Sequence, residues 1–355
     1  MTHFFAPGPI KIPDCLREAL STTAPYFAGK EFSKVLEQIQ PRLQEVFNTD
    51  NPVMIGTGSG SLGMECAVTN FFSHGDVVIV LVTGKYGKNW SEMCQRHGLV
   101  VAEVSAPPGS AASKAELSEL MSRFSKVKGV FITHVDTTTG ILNPIEEFRH
   151  IIRTSYPNTL IVVDAICSLL TEQLVSSNYD VVISASQKAL SLPPGLFFMT
   201  ASRLAVDVAS RTEERPFYFD VVKEYDRTLT NTTTFTPASN LIMALDVALR
   251  IIVDILTPTL IIDRSMILST SSKVTLSKAG LSLFSKSPAN AITVVYHSNS
   301  DYIISKLEES GIIIGSGVRE LKGKIFRIMH FGWDTKSRDL DEVLSSVIHF
   351  ADPYP

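Results

Sequence analysis

The chain has 355 residues, 45% of them hydrophobic and 19% charged, a composition typical of a globular protein long enough for two domains. Its formal net charge is -4 and no Lys/Arg-rich run occurs, which argues against a nucleic-acid or anionic-membrane surface. A small molecule is therefore the expected partner.

The N-terminal sequence, MTHFFAPGPIKIP, has neither the charged region nor the apolar region of a signal peptide. No apolar stretch reaches the length of about 18 residues that a membrane span requires. Four cysteines occur without CxxC or metal-binding spacing: Cys15, Cys66, Cys94 and Cys167. Neither a disulfide framework nor a metal site is expected, and the predicted location is the reduced cytoplasm.

The first two thirds of the chain alternate apolar runs with helical patterns. Strands are predicted at 52–57, 76–84, 98–106, 129–136, 159–166, 179–186 and 195–202. Helices are predicted at 61–73, 86–97, 114–124 and 144–154. Because the strand runs are almost continuously Val, Ile and Leu, they indicate strands buried on both faces. The pattern predicts a large, mostly parallel α/β domain over residues 14–236.

The pattern changes after Pro237. A long helix is predicted at 239–255, and a Ser-rich segment at 269–280 is predicted to be a helix with a polar face. Shorter strand and helix patterns follow, at 291–297, 301–310, 311–317, 324–332 and 337–351. They predict a smaller α/β domain over residues 237–355, to which the N-terminal segment 1–13 is assigned.

A glycine loop, GTGSGSLG at 56–63, follows a strand pattern and begins a helix pattern. It contains Gly58-x-Gly60-x-x-Gly63, but a dinucleotide site also needs an acidic residue about 20 residues later, at the end of the next strand. That strand ends in Thr83-Gly84, so NAD is disfavoured. Glycines and small hydroxyls at a helix N-terminus still favour a phosphate. The alternative is an ordinary strand–helix turn.

A lysine stands at the end of a buried strand pattern, in SASQKALSLPPG (184–195). Lysine is rarely buried unless it is paired or used chemically. Asp164 ends an earlier strand pattern, so both Lys188 and Asp164 are expected at the carboxyl edge of the sheet. A plain salt bridge between them is one interpretation. The other is a cofactor with a cationic nitrogen, an electrophilic carbon and a phosphate, and pyridoxal phosphate has all three.

The run VDAICSLL…YDVVISASQKALSLPPG resembles the class V aminotransferases of the fold-type-I pyridoxal-phosphate superfamily. Within that family it is most similar to the 2-aminoethylphosphonate–pyruvate and alanine/serine–glyoxylate aminotransferases. Further motifs match in order: APGP (6–9), GSGS (58–61), GKYGKN (84–89), DTTTGILNPI (136–145), SQK (186–188), TFTP (234–237) and FRIMHFG (326–332). Several ordered motifs at consistent spacing carry the resemblance over most of the chain.

The resemblance implies a homodimeric enzyme that moves an amino group from a small donor, such as 2-aminoethylphosphonate, alanine or serine, to a 2-oxo acid such as pyruvate or glyoxylate. DTTTGILNPI with the GSGS and GKYGKN motifs favours the aminoethylphosphonate branch. Lys188 is expected to bind the cofactor covalently and then to move a proton at the substrate α-carbon. Asp164 is expected to keep the pyridine nitrogen protonated, and Tyr86 to stack on the ring.

The remaining roles follow from the same resemblance. The implied cofactor-binding residues are Ser59, Gly60, Ser61, Tyr86, Thr137, Asp164, Gln187, Lys188 and Thr236. The implied substrate-binding residues are Gly8 and Arg327, the arginine serving the substrate carboxylate. Thr236 is expected to reach the phosphate of the other subunit, but Phe235 stands where the family often has a threonine. Thr234 is therefore a second candidate.

Other interpretations remain open. A desulfurase or lyase of the same fold would need a mobile cysteine in the C-terminal part, whereas all four cysteines precede residue 170. A non-catalytic scaffold is disfavoured because Lys188, Asp164 and the glycine loop occur together. No role is assigned to His134, His330 or Arg319.

Overall fold

The computed structural model describes residues 3–351, and the ends of the predicted small domain at 1–2 and 352–355 lie outside the described residues. The strands are β1 (His3–Phe5), β2 (Val53–Gly58), β3 (Val77–Val82), β4 (Val100–Ser105), β5 (Gly129–Thr133), β6 (Val135–Asp136), β7 (Ile141–Leu142), β8 (Leu160–Asp164), β9 (Val181–Ala185), β10 (Gly195–Ala201), β11 (Ser282–Leu283), β12 (Ile292–Tyr296), β13 (Ile312–Ser316) and β14 (Ile325–Met329).

The helices are α1 (Asp14–Ser21), α2 (Lys30–Phe47), α3 (Gly60–Phe71), α4 (Lys85–Arg96), α5 (Lys114–Ser122), α6 (Ile145–Ser155), α7 (Arg203–Ser210), α8 (Val221–Leu229), α9 (Ser239–Leu249), α10 (Pro258–Lys278), α11 (Ser300–Glu309) and α12 (Ser337–Ala351). Among the helices of residues 3–351, none combines the length and the apolar character needed to span a membrane.

A seven-stranded sheet forms the large core, in the order β2-β10-β9-β8-β5-β3-β4. Strand β10 is antiparallel to both of its neighbours, and the other pairs are parallel. Strands β5, β8 and β9 are buried along their whole length, as their unbroken apolar sequences require for a sheet covered on both faces. The predicted mostly parallel α/β fold is confirmed.

A five-stranded sheet holds the C-terminal strands in the order β1-β13-β14-β12-β11, with only β1 and β13 parallel. Strand β1 brings the N-terminal segment into this sheet. Strands β1 and β11 are not among the predicted elements, because runs of three and two residues are too short to show a periodicity. The domain boundaries at 13/14 and 236/237 stay predictions.

Two predicted elements are wrong in their extent. The predicted strand at 129–136 ends at Thr133, and β6 pairs instead with β7 in a separate hairpin, whose turn is closed by the Gly140 N–H on the Asp136 carbonyl at 2.7 Å. The predicted helix at 239–255 changes to a π-helical turn at Arg250–Leu256 before Pro258 begins α10. The predicted helix at 269–280 is the second half of α10.

Candidate active site

Lys188 lies just after β9, where the chain leaves the large sheet. Its side chain is 8% exposed, and its Nζ donates to the carbonyl oxygen of Pro7 and lies 5.4 Å from the ring centroid of Phe331. Within residues 3–351 no carboxylate forms a salt bridge with this nitrogen, so the plain Asp164–Lys188 salt bridge does not form, although the lysine is close enough to lower the pKa of Asp164. The amine is buried without a counter-ion, which is costly unless a bound group uses it.

The N-terminal segment covers this lysine. A Cβ at Gly8 would lie 2.7 Å from Lys188 Nζ, and Gly8 has a φ of +104°, so both the space and the backbone conformation favour glycine. Because β1 belongs to the five-stranded sheet, the cover over Lys188 is attached to the smaller part of the molecule.

Asp164 is the last residue of β8 and is 4% exposed. Its Oδ1 accepts the backbone N–H of Ile166 at 2.9 Å. Burial raises the pKa of the Asp164 carboxyl to about 7; the Asp136 carboxylate raises it further, whereas Lys188 lowers it. A cationic N–H placed against this carboxylate would offset the cost of burying its charge.

Tyr86 lies in the first turn of α4 and faces the same region. Burial raises the pKa of its phenol to about 12, with further contributions from Cys167, Asp164 and Asp136, and the charge of Arg327 opposes the shift. The phenol is therefore neutral near pH 7. The charges of Asp164 and Arg327 are thus close enough to Tyr86 to influence its pKa.

Arg327 comes from the middle of β14 and is 8% exposed. Its Nε donates to the Ser316 carbonyl and its Nη1 to the Thr137 carbonyl, both at 2.8 Å. Burial lowers its pKa, although an arginine remains charged. Within residues 3–351 no acceptor bonds its Nη2, which leaves donors for an anion. Thr137 itself is buried on the β6–β7 hairpin.

The glycine loop forms the N-terminus of α3. Ser59 is the N-cap residue, its side chain makes no capping bond, and both Ser59 and Ser61 are exposed. A Cβ at Gly60 would lie 2.5 Å from Ile166 Cδ1, so the loop packs beside the segment that follows Asp164. The first N–H groups of a helix have no partner within it and suit a phosphate.

Gln187 and Thr236 differ in how they relate to this site. Gln187 is half-buried, and no donor within residues 3–351 reaches its buried Oε1. Thr236 is exposed, in a cleft that Thr57 and Tyr218 also line, and no hydrogen bond of the described chain joins it to the residues around Lys188. Thr234 is half-buried. One chain therefore does not bring Thr236 to the lysine.

Three residues without an assigned role have structural settings. Burial lowers the pKa of His134 and of His330 to about 3, so both imidazoles are neutral, and His330 Nε2 lies 2.8 Å from the Thr293 hydroxyl. Arg319 is exposed in a short 3-10 turn. Sequence reasoning missed Asp136, which accepts the backbone N–H of Tyr86. It also missed the Pro7 carbonyl that bonds Lys188, because no side-chain pattern indicates a main-chain contact.

Comparison with known proteins identifies the family. The family described as aminotransferase class-V matches residues 18–325. L-aspartate–glyoxylate aminotransferase of Paracoccus denitrificans (strain Pd 1222) is 27% identical over 98% of this chain and 91% of its own length. A protein of Synechococcus sp. (strain PCC 6716) named soluble hydrogenase, small subunit, is 30% identical over 96% of this chain and 90% of its own.

A solved structure shows the same fold. The alanine–glyoxylate aminotransferase of Nostoc sp. superposes with a TM-score of 0.91 at 24% identity, over 98% of this chain and 95% of that one. The chain belongs to the class V aminotransferase family, and the predicted resemblance and fold-type-I architecture are confirmed. The family implies pyridoxal phosphate as the cofactor, while the roles of individual site residues stay predictions.

The raised pKa of Asp164 makes a prediction for the cofactor-free protein. The folded chain holds a proton up to about pH 7, whereas an unfolded aspartic acid loses it near pH 4, so Asp164 lowers stability increasingly as the pH rises between these values. We expect Asp164→Asn to raise the free energy of unfolding by roughly 4 kcal/mol at about pH 7.5 and to leave it unchanged near pH 4. Urea denaturation across this range measures the difference. A pH-independent difference would contradict the assignment.

Proposed function

We propose that this protein is a pyridoxal-5'-phosphate-dependent aminotransferase that moves an amino group from a small donor to a 2-oxo acid such as glyoxylate or pyruvate. The observation that carries the proposal is the burial of Lys188 without a carboxylate partner, beside Asp164, Tyr86 and Arg327. Membership in the class V family supports the reaction class. A relative named for glyoxylate supports that acceptor.

The residues present fit the proposed cofactor. Lys188 offers an amine that no carboxylate of the described chain occupies, and Asp164 offers a carboxyl that lacks a cation. The start of α3 offers unbonded N–H groups and the free hydroxyl of Ser59 for the phosphate, with Ser61 beside it. Gln187 directly precedes the lysine, and its buried Oε1 has no donor within residues 3–351.

The proposed mechanism assigns one task to each side chain. When bound, pyridoxal phosphate supplies an electrophilic carbon and an electron-withdrawing ring. Lys188 Nζ would hold the cofactor and then accept and return the proton of the substrate α-carbon. Asp164 would stay ionised against the pyridine nitrogen, and Tyr86 would cover one face of the ring. Arg327 would orient the substrate carboxylate through its free guanidinium donors.

The donor is proposed to be a small amino acid such as alanine or serine, with 2-aminoethylphosphonate as an alternative. The phosphonate would lack the α-carboxylate for which the Arg327 donors are suited, which favours the amino acids. Donors and acceptors tested as separate half-reactions, followed by the absorbance of the cofactor, would decide between them: alanine, serine, aspartate and 2-aminoethylphosphonate against glyoxylate, pyruvate and 2-oxoglutarate.

A desulfurase-like function receives less support. The one cysteine near the site is Cys167, and burial raises the pKa of its thiol to about 11, so it is protonated near pH 7. A thiol held in that state is a poor nucleophile. The C-terminal part of the chain contains no cysteine that could move into the site.

The active unit is proposed to be a homodimer in which Thr236 of one subunit completes the phosphate site of the other. Phe217 is 79% exposed and Tyr218 51% exposed, and Tyr218 stacks on Phe235 with ring centroids 4.9 Å apart. Clustered exposed aromatic rings mark association surfaces. Phe235 of this cluster directly precedes Thr236, so a second subunit seated on the cluster would meet that hydroxyl.

Lys188→Ala is expected to bind pyridoxal phosphate reversibly and to lose turnover by more than the roughly 10²–10⁴-fold that removal of a general base alone costs. The reason is that the same amine both holds the cofactor and moves the proton. Borohydride reduction followed by dialysis measures covalent retention, which wild type should show and the variant should not. Lys286→Ala, at an exposed lysine, is the control. Transamination by Lys188→Ala near the wild-type rate would overturn the assignment.

Arg327→Lys is expected to raise the KM for glyoxylate by roughly tenfold or more, because a point charge cannot reproduce the planar donors of arginine. The half-reaction of 2-aminoethylphosphonate, which lacks the carboxylate, should change far less. Steady-state kinetics with each substrate measures both effects. If all substrates keep their wild-type KM, Arg327 does not contact the substrate.

Subunit mixing tests the shared site. Lys188→Ala is combined with a Thr234→Ala/Thr236→Ala double variant, each with its own affinity tag, and the heterodimer is purified. If the threonine contact crosses subunits, one site carries both defects and the other carries neither, so activity should recover to about half of wild type. A verified heterodimer no more active than its parents would show that each subunit builds its own phosphate site.

A further inference from the structure

Asp136 is a fully buried carboxylate that the proposed mechanism leaves unused. It ends β6 and forms no salt bridge within residues 3–351, although its charge is close enough to influence the pKa of Arg327. Its Oδ1 accepts the backbone N–H of Thr138 at 2.9 Å and the Thr138 hydroxyl at 2.5 Å, and its Oδ2 accepts the backbone N–H of Tyr86 at 3.0 Å. One side chain therefore joins its own hairpin to the start of α4.

The carboxylate takes the place of a helix cap. The N-cap residue of α4 is Gly84, which has no side chain to accept the first N–H groups of the helix. Its φ of 175° is ordinary extended backbone, but a Cβ at this position would overlap the Asp136 carboxyl group. Glycine is thus required for space. A negative charge at a helix N-terminus is also favoured by the helix dipole.

The hairpin contacts the elements proposed to bind the cofactor and the substrate. The Thr138 hydroxyl accepts the backbone N–H of Lys85 at 3.1 Å, a second bond between the hairpin and α4. The carbonyl of Thr137, the next residue after Asp136, accepts from Arg327 Nη1 at 2.8 Å. The hairpin therefore contacts both the element that carries Tyr86 and the arginine proposed to bind the substrate carboxylate.

We propose that Asp136 is a positioning residue that fixes the Tyr86 ring and the Thr137 carbonyl relative to each other. It would thereby fix the position of the cofactor ring, which Tyr86 covers, relative to Arg327, which binds the substrate carboxylate. The inference rests on the proposed function, because it assumes that Tyr86 covers the cofactor and Arg327 the substrate. Bonding both Tyr86 and Thr138 requires an acceptor oxygen on each side of the side-chain group at position 136. Asparagine would turn an N–H toward either Tyr86 or Thr138, and that N–H cannot accept the backbone N–H that it would face.

The experiment compares Asp136→Asn with Asp180→Asn. Asp180 is also buried and accepts a backbone N–H, from Ile161 at 2.7 Å, and a hydroxyl, from Ser202 at 3.0 Å, but it lies at the opposite end of the sheet. It also pairs with Arg153, so its replacement by asparagine is the more severe loss for stability. For each variant the Kd for pyridoxal phosphate, the visible circular dichroism of the bound cofactor and the KM for glyoxylate are measured, with the stability of the cofactor-free protein.

Asp136→Asn is expected to weaken cofactor binding by roughly ten- to hundredfold, since it leaves a buried N–H without an acceptor beside the ring. It should also reduce the visible circular dichroism and raise the KM for glyoxylate. Asp180→Asn should lower stability and leave the other three quantities at wild-type values. Thr138→Val keeps the Asp136 carboxylate and should show a smaller effect in the same direction, which keeps the test open if Asp136→Asn does not fold.

A double-mutant cycle separates positioning from general destabilisation. If Asp136 acts through the Tyr86 ring, the loss of cofactor affinity caused by Thr138→Val should fall to under about twofold in a Tyr86→Ala background. Suppose that the wild type binds the cofactor. An undiminished loss of cofactor affinity in the Tyr86→Ala background, or equal losses of affinity in Asp136→Asn and Asp180→Asn, would then overturn this inference alone. A wild-type chain that binds no pyridoxal phosphate would overturn the proposed function and, with it, the inference.

Discussion

The site depends on two ionisable groups that are buried close together without bonding to each other: the amine of Lys188 and the carboxyl of Asp164. Burying either group in its charged form costs free energy relative to water, and a direct ion pair would offset part of that cost. Instead Lys188 is held by a carbonyl oxygen and Asp164 by a backbone N–H. Under the proposed function, pyridoxal phosphate would supply the matching charge and the reactive carbon between them.

The topology explains how these groups meet. Asp164 ends β8 and Lys188 follows β9, and the carboxyl ends of these neighbouring parallel strands share one edge of the large sheet. The five-stranded sheet contributes Arg327 from β14 and, through β1, the segment that covers the lysine. The site is therefore lined by both sheets, and a change in their relative position would alter access to Lys188 and the place of the arginine together.

The parts of the site that the sequence predicts are those that a strand pattern locates. Asp164, Lys188 and Arg327 each stand within or directly after an apolar run, so a periodicity argument gives their place in the sheet, and the resemblance gives their proposed roles. The hairpin β6–β7 is not predicted by the sequence because Val135 and Asp136 directly follow the apolar run of β5 in GVFITHVD, and their pairing with Ile141 and Leu142 leaves no separate pattern. The cover by Pro7 is a main-chain contact across 181 residues, which no local pattern encodes.

The buried charged groups of the site differ in whether their hydrogen-bonding capacity is already used, and this separates the groups that can bind a ligand from those that hold the backbone in place. The Asp136 carboxyl accepts two backbone N–H groups and a hydroxyl, so its hydrogen-bonding capacity is used before any ligand binds, while burial still raises its pKa. Asp164 has a single backbone bond, and Arg327 keeps donors on Nη2 that no described residue occupies. Chemistry needs groups with unused bonding capacity, whereas positioning needs groups whose capacity is already filled. On that criterion the buried acids of one site divide without reference to any relative: Asp164 remains available to a ligand, and Asp136 is committed to the backbone that presents it.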